Sequence, residues 1–221
     1  MTAYLKPITC SEMKRLFTLI LTLFTVFTVS AQNADQLLRK TVSKLQKDGG
    51  ITMTIDARVK IDGGTDAFDL LLKLSGTSFY ASQDETTMWF DGKTMWRGND
   101  FGDGIEEIYI TEPTPEEKTR YDVIGLLGKH QGFSVSSGGT DTFILTASNQ
   151  ERSVEGIRKV TVQVDPNTYV PKSLQIEFSE ELGDVSASLK VTGYKPGQDF
   201  DKSTFTCPVK EYKDAEIIDL R

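Results

Sequence analysis

From Ile51 to Ile61 the chain alternates without a break. Ile51, Met53, Ile55, Ala57, Val59 and Ile61 fall on one parity, and Thr52, Thr54, Asp56, Arg58 and Lys60 on the other. Successive side chains of an extended strand point to opposite faces, whereas a helix would scatter this pattern around its circumference. The run therefore predicts a half-buried strand. After a turn at Asp62-Gly63-Gly64, Phe68, Leu70, Leu72 and Leu74 alternate with Ala67, Asp69, Leu71 and Lys73 in a second one. Two such neighbours joined by so short a turn pair antiparallel and begin a sheet with one apolar and one polar face.

Trp89 to Trp96 reads Trp-Phe-Asp-Gly-Lys-Thr-Met-Trp, two apolar runs around an Asp-Gly pair. Asp91-Gly92 predicts a two-residue primed turn, because Gly accepts positive φ and Asp tolerates it. Short strands are expected around this hairpin at Phe79-Tyr80, Met88 to Phe90, Thr94 to Trp96 and Glu107 to Ile110, with a loop from Gly98 to Gly104. The strand pattern returns at Phe133 to Val135, Phe143 to Ala147, Val160 to Val164, Leu174 to Phe178 and Val185 to Val191. Helical spacing is confined to two stretches. Asn33 to Lys47 carries Leu38, Val42 and Leu45 on one face and stops at Asp48-Gly49-Gly50. Thr114 and Glu117 have the spacing of a capping box, with Pro115 at the first helical position. The fold class is thus mainly β with few helices, an antiparallel sheet packed on one side.

Met13-Lys14-Arg15, an apolar run from Leu16 and the small-residue ending Val29-Ser30-Ala31 follow the grammar of a secretory signal. Cleavage between Ala31 and Gln32 is expected, with Met13 as the true start and residues 1–12 an extension of the gene reading. The apolar run is shorter than the ~20 residues of a membrane-spanning helix. Residues 32–221 then form one domain. Removing Lys6, Lys14, Arg15 and Glu12 from 25 basic and 32 acidic residues leaves 22 and 31, a net charge of −9. No basic cluster interleaved with aromatics relieves it, so nucleic acid is not an expected partner. Cys207 remains as the one mature cysteine, which excludes an internal disulfide. Gln32 stands where an acylated lipoprotein would need Cys, so a free, soluble product is expected, and a monomer is expected alongside it.

Little in this chain suggests catalysis. His130 is the one histidine, sits in an expected loop and has no Gly-x-Ser-x-Gly elbow to serve. One cysteine and one histidine cannot build a zinc site, and the acidic residues lack calcium-loop spacing, so neither metal nor cofactor is expected. Glu116 and Glu117 read as helix N-terminal charge. Trp89 and Trp96 read as cross-strand packing rather than a sugar platform, and Cys207 as a small buried hydrophobe. The apolar strand faces fit either a filled core or a hollow one open to lipid, and periodicity alone does not separate the two.

Asp91-Gly92-Lys93-Thr94-Met95-Trp96 in mid-chain, the Pro113 to Leu127 region after it, the first helix and long first strand before it, and the ending Phe205-Thr206-Cys207-Pro208 through Asp219-Leu220-Arg221 together resemble the LolA family of periplasmic outer-membrane lipoprotein carriers. The resemblance implies a strongly curved antiparallel half-barrel with helices plugging an apolar cavity. Met53, Ile55, Val59, Phe68, Leu70, Leu72, Leu74 and Phe90 would line that cavity, and Ile124, Leu126 and Leu127 would form its lid. It further implies that lipoprotein acyl chains are taken from an inner-membrane ABC release complex and passed to an outer-membrane acceptor, with no reaction catalysed. The family's usual Arg-Pro is missing, since the matching stretch reads Leu74-Ser75-Gly76-Thr77-Ser78-Phe79 and Lys73 is the nearest base. A related sheet domain working as an envelope sensor or protein-binding module, or a carrier of other envelope lipids, stands as the alternative.

Overall fold

A computed structural model describes residues 33–102, 104–115, 117–118, 132–148, 156–179, 181 and 183–221. Helix α1 spans 33–47, as its apolar spacing predicts. The strands are β1 (Gly50–Ile61), β2 (Gly64–Ser75), β3 (Ser78–Gln83), β4 (Thr86–Phe90), β5 (Met95–Asp100), β6 (Ile105–Thr111), β7 (Phe133–Ser137), β8 (Thr142–Ala147), β9 (Ile157–Val164), β10 (Pro171–Phe178), β11 (Val185–Gln198) and β12 (Glu216–Asp219). All twelve join one curved sheet in the order β12-β6-β5-β4-β3-β2-β1-β11-β10-β9-β8-β7. Neighbours from β1 to β6 and from β11 to β7 are consecutive in sequence, so among the described strands two pairings close over a long range, β1 against β11 at the centre and β12 against β6 at one edge.

Alternation decides which face is buried. The β1 parity of Ile51, Met53 and Ile55 packs with Leu74 beneath Leu45 of α1, while Ala34, Leu38 and Val42 of the same helix cover Phe143, Leu145, Val162 and Val164. One helix thus bridges the two halves of the sheet, and each large apolar side chain it covers contributes roughly 1.5–3 kcal/mol. Its C-terminus is tied down locally. Gly49 takes φ +66°, the left-handed conformation that ends helices. Asp48 receives Lys44 Nζ at 2.5 Å and the Tyr194 hydroxyl of β11, and its carbonyl accepts the Gly197 N–H at 2.9 Å.

Two Asp-Gly turns behave differently. Asp62-Gly63 joins Ile61 to its partner Gly64 with φ of 47° and 88°, the two-residue primed turn. Asp91-Gly92 does not form one, contrary to expectation. Phe90 pairs with Met95, so the loop has four residues, and its two central positions are Gly92 and Lys93. The Asp91 carboxylate explains the shift by accepting the N–H groups of Lys93 at 2.8 Å and Thr94 at 2.7 Å, holding Asp91 in the shoulder of the turn rather than its apex. Gly92 alone carries positive φ there, 92°.

The loop expected from Gly98 to Gly104 is also shorter, because β5 continues to Asp100. Gly98 pairs with Ile108, and a Cβ on it would lie 2.9 Å from Ile105 Cδ1, so this glycine serves close packing rather than a turn. One-sided packing needs correction as well. Trp89, Trp96, Ile108 and Ile110 lie on the face opposite α1 and are covered by Cys207, Val209, Tyr212 and Ala215. The chain reaches them after β11 by way of 3-10 turns at Lys202–Phe205 and Val209–Glu211. It ends as β12, parallel to β6.

Candidate functional site

Cross-strand register places the expected cavity residues together. In an antiparallel sheet directly opposed residues share a face. One row runs Ile51, Leu74, Phe79, Phe90, Met95 across β1 to β5, and a second runs Tyr194, Met53, Leu72, Ala81, Met88 from β11 across β1 to β4. Beside them Ile55 opposes Leu70 and Val191, and Ala57 opposes Phe68 and Leu189. Val59 is on the same face, opposite Asp66 and Ala187, near the strand end where Ile61 is exposed. All eight cavity candidates therefore project from the α1 side of the sheet.

Burial along these rows is uneven. Ile51, Met53, Ile55, Leu74, Phe90 and Met95 are buried, with the Phe79 and Phe90 rings 5.6 Å apart. Phe68, Leu70, Leu72, Ala81 and Met88 are half-exposed among the described residues. The result is an apolar strip along β2 to β4, beside the edge of α1.

Polar groups close the far end of the strip. Arg97 follows Met88 in the second row and opposes Tyr109, with its guanidinium carbon 4.6 Å from the Tyr109 ring centroid. The Tyr109 hydroxyl donates to Glu107 Oε2 at 3.1 Å, and that bond to an anion is the first cause holding its pKa above the ordinary 10.0. Asn99 Nδ2 donates to the same oxygen at 3.2 Å. Sequence reading misses Arg97 because Gly98 resembles the start of a loop; the parity of Met95 and Arg97 against Trp96 is the signal that places it.

The capping box forms as expected. Thr114 N donates to Glu117 Oε2 at 2.7 Å, and Glu117 N donates to Thr114 Oγ1 at 3.3 Å. Ile124, Leu126, Leu127 and His130 lie outside the described residues, as do Ala31 and Gln32. Lys73 projects from the other face, its ammonium 5.0 Å from the Tyr80 ring centroid, so it does not reach the strip. Trp89 and Trp96 oppose one another and are 5% and 9% exposed, which leaves no stacking platform. Among the described residues no group of three or more His, Cys, Asp or Glu is placed to hold a metal ion, and no helix is long and apolar enough to cross a membrane.

Solved structures resemble the chain at low identity. An uncharacterised conserved protein of Thermus thermophilus superposes with a TM-score of 0.49 at 11% identity, over 82% of this chain and 98% of its own. A LolA superfamily protein of Nitrosomonas europaea gives 0.44 at 12%, over 80% and 98%. The lipoprotein LppX of Mycobacterium tuberculosis gives 0.36 at 12%, over 76% and 98%. No curated protein matches the chain by sequence. The family described as "Outer membrane lipoprotein carrier protein LolA" matches residues 24–180, more than half of the chain, and it is to this family that the chain belongs.

Proposed function

We propose that the chain is a periplasmic carrier that holds the acyl chains of a lipoprotein against the α1 side of its sheet while they cross from the inner to the outer membrane. The observation that supports this reading best is the half-exposed strip of Phe68, Leu70, Leu72, Ala81 and Met88, aligned by register and bordered by the buried cluster under α1. An acyl chain in water forfeits roughly 0.8 kcal/mol per CH₂, on the order of 10 kcal/mol for a long chain, so an aqueous crossing requires a shield. Family membership supports the same class of cargo. The segment ending at Ala31 acts as the export signal, residues 32–221 are the mature carrier, and Ile124, Leu126 and Leu127 close over the cargo as a lid. An inner-membrane ABC release complex supplies the cargo and an outer-membrane acceptor takes it.

Leu72 tests the proposal. Leu72→Glu adds a charge at a partly exposed position on the border of the buried cluster, where the carboxylate can reach water, so the variant folds and loses acyl binding; in a dry core the same change would leave an unpaired buried carboxylate and unfold the protein. Native mass spectrometry of the exported wild type and variant, with chemical denaturation of both after delipidation, reads both effects. Bound lipid in the wild type alone, with two similar unfolding curves, is expected. A wild type that retains and takes up no lipid would overturn the proposal.

A further inference from the structure

We infer that Arg97 recognises an anionic headgroup at the end of the acyl strip, which makes the preferred ligand an amphiphile bearing phosphate or carboxylate next to its chain. This inference rests on the acyl-binding reading of the strip. Leu72, Ala81, Met88 and Arg97 occupy consecutive strands of one row, so the Arg97 backbone stands about 14 Å from that of Leu72 at the ordinary interstrand spacing. Apolar side chains thus fill one end of the row and a single guanidinium closes the other. Arg97 is exposed, lies over the Tyr109 ring and forms no ion pair among the described residues. Two carboxylates stand at this corner, Glu107 and its register partner Glu216; Glu107 is held by the Tyr109 hydroxyl and the Asn99 amide, and its grip on Tyr109 keeps that ring beneath the guanidinium. In a chain of formal charge −7 with 32 acidic residues, an arginine that pairs with an aromatic face instead of a carboxylate keeps its donor fork available to an incoming anion.

Displacement of the neutral probe N-phenyl-naphthylamine from the mature protein tests this, using hexadecyl phosphate, palmitate and monopalmitoyl glycerol. The anions should bind about tenfold more tightly than the neutral glyceride, the value of one charge-assisted contact. Arg97→Gln should remove that preference and leave glyceride affinity unchanged, and Arg97→Lys should keep most of it. Phosphate binding above palmitate identifies a phosphate headgroup; equal binding identifies a site for either anion. Equal affinity for all three in the wild type, or a preference that survives in Arg97→Gln, overturns the headgroup role while the acyl strip stands. Equal weakening of all three in Arg97→Gln also overturns it, since the residue would then be part of the wall or the fold. Failure of all three to bind the wild type removes the acyl-binding reading itself.

Discussion

Cys207 shows how a residue with no chemistry to perform still leaves a measurable trace. It is 5% exposed within the segment after β11 that covers Trp89 and Trp96, and burial pushes its thiol from 9.0 up to about 12. The folded state holds the proton more tightly than the unfolded chain does. Stability from this site is therefore complete below about pH 9 and is lost as pH rises from there toward 12. Denaturant titrations at several pH values between about 8 and 11 should show wild-type stability falling more steeply than that of Cys207→Ala. Parallel slopes would place the alkaline loss elsewhere, for instance at Tyr194, which burial and the Asp48 hydrogen bond also shift upward. The burial of Cys207 was legible from residue type, but its partners were not. Nothing local in Thr206-Cys207-Pro208 says that the segment crosses to a hairpin more than a hundred residues earlier.

At the scale of elements, the junction between α1 and β11 decides whether the helix stays on the sheet. Lys44, Asp48 and Tyr194 meet there, and the Asp48 side chain is 10% exposed. Tyr194→Phe removes the donor and keeps the ring, so it should cost about 1–2 kcal/mol, less than a fully buried charged bond because Lys44 still pairs with the carboxylate. Hydrogen exchange should locate the loosening at the amides of the last turn of α1. An unchanged midpoint with normal exchange would show that apolar cover alone fixes the helix. Elements with a strict period were readable from the sequence: α1, β1 and β2 fall close to their expected bounds. The hairpin at Asp91 was harder, because Asp-Gly suits two turn lengths and the choice depends on where the aspartate side chain finds its donors. Glycine misled in the same way at Gly98, where it relieves packing against Ile105 rather than breaking the strand.

Over the whole molecule, the strap after β11 is what the strand pattern concealed. Its 3-10 turns have no period to detect, and β12 is too short to stand out. A chain ending at residue 198 loses β12 from the sheet edge and uncovers Trp89, Trp96 and Ile108, so it should bind a hydrophobic dye and show red-shifted tryptophan emission. A chain ending at residue 180, where the family match stops, also lacks β11 and leaves β1 and β10 each short of a partner, so no cooperative unfolding transition is expected from it. Native-like emission and cooperativity in the shorter chain would show that the centre of the sheet can do without its longest strand.

The central position of β11 has a temporal side. β1 to β6 can assemble hairpin by hairpin as the chain emerges, but Ile55 has no second neighbour until Val191 has been delivered, so half of the sheet waits on the last part of the polypeptide. Pairings of such long sequence separation are slow, on the order of milliseconds to seconds. Throughout that interval the leucine-rich strip and the tryptophan hairpin are both bare. Aggregation should therefore compete with folding most strongly before β11 docks, when neither apolar face has the neighbours that cover it in the finished sheet.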